Sequence, residues 1–377
     1  MEQQLKRDFE WLHAHPELSY EEFETTAYIR AQLAEAGVPV LDYALETGLV
    51  AEISGPAAGP CIALRADIDA LPVAEDTGLP YASCVPGKMH ACGHDLHTAV
   101  LLETARRLQV AQDTLAGTVR LIFQPAEESS VGAEKILATP AMEGVQAVFA
   151  LHTSPLFPAG VIAVRPGAAT ASVDRFGVRI TGRGGHAAAP ETTIDPVVAG
   201  AAFVTAAQTV VSRNVSPMEA ALVSITHFEA GNTWNVIPET AFLEGTVRTL
   251  NAADREKIPR RLADIARGVA AGYGATAEFS WHPGPPATSN DPAWTSFAAQ
   301  VAKEAGLPVE QDPPSMLGED FAFFQQLAKG VYIHVGIGLT AANHNPHFCV
   351  DEAALEPAAR YFTALAAAAL QKLAAEH

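Results

Sequence analysis

The chain has 377 residues, with 43 Asp or Glu against 24 Lys or Arg, for a formal net charge of −19. A hydrophobic fraction of 49% excludes a mainly disordered chain. The acidic balance excludes nucleic-acid or anionic-membrane binding without a local basic patch, and the sequence has none. The length suits roughly two domains. No apolar run is long enough for a membrane span, and the first residues lack a secretory leader's apolar core. Cys61, Cys84, Cys92 and Cys349 show no CxxC pair or disulfide framework, so a reducing, cytoplasmic setting is expected.

In chain order, residues 2–14 form an amphipathic helix. Ser19 and Glu22 match a capping box opening a second helix that Gly37 ends. Strands are expected at 49–54 and 61–65, a helix at 95–108, and buried strands at 119–124 and 147–151. This alternation predicts an α/β domain with a mixed, mostly parallel sheet covered on both faces. The middle of the chain changes rhythm: a strand at 173–181, a helix at 196–212, strands at 222–228 and 241–247, a helix at 253–271 broken or kinked at Pro259, and a strand at 275–281. That β-α-β-β-α-β order predicts a ferredoxin-like α+β unit. A Pro/Gly-rich stretch at 282–288 leads back out. The expected organisation is a discontinuous catalytic domain, 1–172 and 288–377, interrupted by an inserted satellite domain, 173–287.

Residues able to bind metals crowd at the predicted strand ends. Met89-His-Ala-Cys-Gly-His-Asp-Leu-His97 holds three histidines, a cysteine and an aspartate. A thiolate and an imidazole two residues apart, with a glycine between them, can both reach one cation. In Phe123-Gln-Pro-Ala-Glu-Glu128 a strand ends in two carboxylates. On extended chain, adjacent side chains point apart, so one can bind a metal while its neighbour serves as general base. His152 follows an apolar strand, Asn343-His-Asn-Pro-His-Phe348 lies near the C-terminus, and Asp67 and Asp69 follow another strand. Together these supply donors for a two-metal site. The segment 181–190 brings glycines and His186 together without dinucleotide-binding spacing.

These ordered motifs identify a resemblance: RADIDALP (65–72), MHACGHD (89–95), FQPAEE (123–128), GRGGHAAAP (182–190), GNTWNVIPE (231–239), EGTVRTL (244–250), GEDF (318–321) and HNPHF (344–348). The chain resembles the metal-dependent aminoacylase/carboxypeptidase family that includes hippurate hydrolase, auxin-conjugate amidohydrolases, and N-acetyldiaminopimelate and N-acetylcysteine deacetylases. The resemblance covers nearly the whole length. It implies an α/β catalytic domain with a ferredoxin-like satellite, and two divalent metal ions (Zn or Mn) per subunit held by Cys92, His94, Glu128, His152 and His344. It further implies Glu127 as general base, Asp67 as an orienting group, His186 completing the catalytic set, Asn235 and Arg248 as substrate contacts, and a homodimer built through the satellite. Ser129-Ser130-Val131 stand where the family continues with glycines. Arg183 replaces a commoner Lys, Lys329-Gly330 replaces Pro-Gly, and His347 is an extra titratable group.

The implied reaction is hydrolysis of an N-acyl amino acid, with an acetyl, benzoyl or similar acyl group, to a carboxylic acid and a free amino acid. A dipeptidase or carboxypeptidase using the same two-metal site is the alternative. A binding-only member of the fold would be expected to lack a ligand or the base, and here none is missing. A cysteine hydrolase built on Cys92 would depend on the thiol rather than on metal.

Overall fold

The computed structural model describes residues 2–130 and 132–376; Val131, in the departing Ser129-Ser130-Val131 stretch, lies outside them. The chain forms two compact units, one of Met1–Ala169, Thr288–Pro314 and Asp320–His377, the other of Thr170–Ala287 and Ser315–Glu319.

The first unit is built on seven strands: β1 (Leu49–Ser54), β2 (Cys61–Asp67), β3 (Thr118–Gln124), β4 (Val145–Ser154), β5 (Ile162–Val164), β6 (Val309–Gln311) and β7 (Lys329–Gly336). Their order is β1-β3-β2-β4-β7-β5-β6. The central pairs β3/β2, β2/β4 and β4/β7 are parallel; β1 and β5 pair antiparallel to β3 and β7. The period-two pattern explains the layering. Ile62, Leu64, Val119, Leu121, Phe149, Leu151, Val331 and Ile333 enter one core. Ala63, Ile122, Val148, Ala150 and Tyr332, on the other face, enter a second. Helices α1 (Glu2–Ala14), α2 (Phe23–Glu35), α3 (His94–Val110), α4 (Pro292–Glu304) and α5 (Leu355–Ala375) supply apolar residues to the first core.

The second unit has a four-stranded antiparallel sheet in the order Thr276–Pro283, Asp174–Thr181, Thr240–Thr249, Ala221–Ala230. The helices Pro196–Ala207 and Ala252–Gly272 place Phe203, Ile258, Leu262 and Ala266 in one core with Phe176, Val178 and Leu243 of the sheet. Strand order 4-1-3-2 with two helices is the ferredoxin-like arrangement.

Four local expectations are corrected. Ser19 caps no helix: α2 begins at Phe23 after Glu22, and the Ser19 hydroxyl donates to Asp69 Oδ2 at 2.7 Å. The helix at 196–212 is two pieces, Pro196–Ala207 and Thr209–Asn214. Ala252–Gly272 runs on as one helix through Pro259; the missing N–H costs one bond, and a buried apolar face offsets it. Strand β4 carries through His152 to Ser154 rather than ending before it.

One buried charge ties the N-terminal helix to the site. His13, at the end of α1, is 2.6 Å from Asp95 Oδ2 through Nδ1 and 3.3 Å from Glu75 Oε1 through Nε2. Burial disfavours its charged form, but the two carboxylates outweigh burial and push its pKa up to about 10. Glu75 also accepts from Ser83 N, so His13 fastens the loop before Cys92 and the first turn of α3 together. Replacing His13 with Ala should cost ~3–5 kcal/mol, because two buried carboxylates lose their partner. His13 holds its proton more tightly folded than unfolded. Its contribution is therefore complete below about pH 6.5 and fades as pH rises toward 10. Urea unfolding at pH 6 and pH 9.5 should show a steeper alkaline loss in the wild type than in His13→Ala; parallel losses would contradict this assignment.

Candidate metal centre

The site grows from the end of β2. Arg65 is fully buried and donates to Asp67 Oδ2 at 2.6 Å, Gln124 Oε1 at 2.8 Å and Asp320 Oδ1 at 2.9 Å. Burial would raise the Asp67 pKa, but Arg65, His94 and His97 hold it well below the usual carboxylate range. Asp67 Oδ1 accepts from His97 Nδ1 at 2.5 Å, and His97 Nε2 accepts from Thr153 N at 2.8 Å. His97 is therefore a neutral ring with its proton on Nδ1, in keeping with burial pulling its pKa down.

Two residues on, Asp69 gathers two pieces of chain. Its Oδ1 accepts from Glu127 N at 3.1 Å, and its Oδ2 accepts from Glu128 N at 3.0 Å. Its carbonyl accepts from His94 Nδ1 at 2.9 Å. With the His94 proton on Nδ1, the opposite nitrogen is left as a lone-pair donor. That Nε2 and Glu128 Oε1 are buried without a hydrogen-bond partner and lie 3.8 Å apart. Glu127 and Glu128 occupy a 3-10 turn between Ala126 and Ser130, both left-handed, and not the extended segment expected from sequence. Asp69 drives this difference: one carboxylate can accept from two successive N–H groups only if the backbone curls around it.

Cys92 and His94 flank Gly93, whose φ is +87°. A Cβ there would lie 2.4 Å from Thr153 Cγ2, so this position needs glycine on two counts. Thr153 Oγ1 donates to Cys92 O at 2.6 Å, fixing the turn against β4. His152 gives its Nδ1 proton to Thr153 O at 2.9 Å and turns Nε2 toward Cys92 Sγ at 3.6 Å. His344 N donates to Ala91 O at 2.7 Å, and its Nε2 lies 3.4 Å from Glu128 Oε1.

Thus Cys92, His94, Glu128, His152 and His344, distant in sequence, lie in one chain of short donor distances. Donor atoms of Cys92, His94 and Glu128 fall within 4.8 Å of one another, as do those of Asp67, His94, His97 and His152. Burial would lower the His94 pKa, yet Asp67, Asp69 and Cys92 raise it well above the ordinary value. Cys92 and Glu128 push His344 up to about 10. The same negative field favours a metal cation at these nitrogens. Orphaned buried donors, mixed N, O and S chemistry and surplus negative charge all fit divalent metal ions.

His90, though in the same motif, is set apart: it is fully buried, belongs to neither donor group, and burial pushes its pKa down to about 4. In the second unit, His186 pairs with Val236 across a two-residue ribbon and accepts Ala188 N at Nδ1, so its proton sits on exposed Nε2. Asn235 O accepts from Ala187 N, bringing Asn235 beside His186. Arg248 lies on Thr240–Thr249 and is half-buried, which lowers its pKa. Sequence reasoning missed the joining role of Asp69, the His97 relay and the Asn343 amide, which donates to Cys92 Sγ at 3.3 Å. Asp69 had one readable signal, a second acid two residues after the strand-end Asp67.

Comparison with known proteins agrees with this geometry. The family model of peptidase family M20/M25/M40 matches residues 63–368. N-acetylcysteine deacetylase of Bacillus subtilis is 47% identical, covering 98% of this chain and 97% of that protein. Thermostable carboxypeptidase 1 of Saccharolobus solfataricus is 39% identical, covering 92% and 90%. The crystal structure of the Bacillus subtilis YXEP protein, described as a dinuclear metal-binding peptidase, superposes with a TM-score of 0.90 at 43% identity, covering 98% of each chain. A metal-donor cluster at the ends of parallel strands, a whole-length likeness and a matching family model lead to one conclusion: this chain belongs to peptidase family M20/M25/M40.

Proposed function

We propose that this protein is a metal-dependent amidohydrolase that cleaves N-acyl amino acids to a carboxylic acid and a free amino acid. The observation that carries it is the Glu127–Glu128 turn. One aspartate pins both backbone N–H groups, so the residue next to Glu128 is held in a fixed turn while the Glu128 carboxylate stands among the metal donors. The deacetylase likeness supports an N-acyl amino acid as substrate.

Cys92, His94, Glu128, His152 and His344 would hold two divalent ions, zinc or manganese, which supply Lewis acidity toward water and the scissile carbonyl. Glu127 takes the proton from the attacking water and passes it to the leaving nitrogen. Asp69 keeps Glu127 from drifting with its flexible side chain, since the backbone beneath it is pinned. Asp67 holds His97, and His97 holds the backbone of Thr153 beside His152. We assign His186 to donate from Nε2 to the developing oxyanion. We assign Asn235 to the acyl-amino-acid backbone and Arg248 to the substrate carboxylate, where a guanidinium fork suits two oxygens. The proposal includes a reducing cytoplasmic setting, which keeps Cys92 a ligand. Among the described residues, no helix is long and apolar enough to cross a membrane.

The proposal also takes the homodimer. Among the described residues the strand Ala221–Ala230 pairs on one side only and is exposed along much of its length, leaving a row of backbone groups open to a second copy. Light scattering should give twice 39.7 kDa; a monomer at micromolar concentration would exclude this assembly.

Metal-stripped protein should release little amino acid from acetyl, benzoyl and indoleacetyl amino acids and recover on adding zinc or manganese. Release from dipeptides alone, with no N-acyl turnover, would favour the carboxypeptidase-like reading that the 39%-identical relative suggests. Glu127→Gln should keep both metals and lose ~10²–10⁴-fold in kcat. Cys92→Ser should lose metal first, so a fully metallated and active Cys92→Ser protein contradicts the ligand set.

A further inference from the structure

We propose that Asn343 is a positioning residue that tunes the Cys92 thiolate by an N–H···S hydrogen bond. The inference rests on the metal reading above. Asn343 Nδ2 lies 3.3 Å from Cys92 Sγ. A metal-bound thiolate has no proton to give, so the amide presents its N–H to the sulfur. The rings of His94, His152 and His344 also surround Cys92. In the metal reading they turn lone pairs to the cation and have no proton to spare for sulfur. Asn343 keeps one.

The loop that carries Asn343 is held on several sides. His344 N donates to Ala91 O at 2.7 Å, one residue before Cys92. Asp76 N donates to Pro346 O at 2.9 Å, and Phe348 N donates to Asn345 O at 2.9 Å. His347 Nδ1 lies 2.6 Å from Asp76 O, and the Phe348 side chain is buried. His344 has φ +67°, a conformation uncommon for a residue with a side chain and one that persists where its surroundings over-determine it. The amide is thereby aimed at sulfur by the fixed backbone that follows it.

The consequence is electronic as well as geometric. An N–H···S bond withdraws density from sulfur and weakens the thiolate as a donor. The cation beside it is left more electron-poor, and partners of this kind typically change metal affinity ~10–100-fold when removed.

The test is cobalt(II)-loaded wild type beside Asn343→Leu and Asn343→Asp, both close in size and lacking the N–H. The sulfur-to-cobalt charge-transfer band should move to lower energy in both variants, because an unbonded thiolate gives up its electron more readily. Zinc affinity, measured against a competing chelator, should fall ~10-fold in Asn343→Leu, because losing the N–H that fixes the sulfur toward the cation outweighs the gain in donor strength. In a Cys92→Ser background the same substitution should change affinity less than ~2-fold, since the sulfur is gone. A band that stays put in both variants overturns the proposal, as does an equal affinity loss in the Cys92→Ser background. If wild-type protein binds cobalt but shows no sulfur band at all, Cys92 is not a ligand, and the metal reading fails with the proposal.

Discussion

The carboxylate of Asp69 is the constraint on which the centre depends. Its two oxygens take the N–H groups of Glu127 and Glu128, and its own carbonyl takes the His94 ring. The turn after β3 and the start of α3 are thereby set by one residue at the end of β2. Ser19 adds a third element from the N-terminal segment. Asp69 is fixed in turn because it follows directly on β2, a central strand buried on both faces. Precision at the centre is inherited from the most rigid part of the sheet.

The carboxylates also keep the centre from closing on itself. A pocket this buried would ordinarily pair each polar atom with another. Here the acids outnumber the cations near His94, and its Nε2 and Glu128 Oε1 keep no hydrogen-bond partner. Arg65 neutralises part of this charge from beneath, through Asp67 and Asp320. It stands behind the ligand atoms and does not compete for them. The remaining negative field raises the His94 and His344 basicities, and it is the field a divalent ion would satisfy.

The architecture was legible where local pattern and tertiary need agree. Period-two burial in β2, β3 and β4 gives the parallel sheet, and the density of donor residues from Met89 to His97 marks the centre. The misreadings of Ser19 and of the Glu127–Glu128 turn share one physical origin, a long-range bond that overrides a local preference. Ser19 has cap chemistry and Glu22 stands at the right spacing, yet the hydroxyl serves Asp69, fifty residues away. Glu127 and Glu128 follow a strand, and extension was the local expectation; the Asp69 carboxylate curls them. His13 reads as one polar residue in an amphipathic helix, and nothing nearby in sequence announces Asp95 or Glu75. Asn343 is separated from Cys92 by most of the chain.

The histidines show how such remote bonds prepare a metal site. A neutral imidazole has one proton and one lone pair, so whichever nitrogen donates decides where the lone pair points. His94 gives its Nδ1 proton to Asp69 O and His152 gives its own to Thr153 O. Both therefore aim Nε2 inward. His97 uses the same tautomer differently: Nδ1 donates to Asp67, but Nε2 accepts a backbone N–H and is consumed. That single bond separates a ring free to bind metal from one that can only support it, although all three lie in one buried cluster. His344 follows another rule, being half-exposed and carried on a backbone at φ +67° whose N–H is tied to Ala91 O. The centre thus combines rigid buried donors with one donor on a pinned surface loop, and the Asn343 contact joins that loop to the buried thiolate.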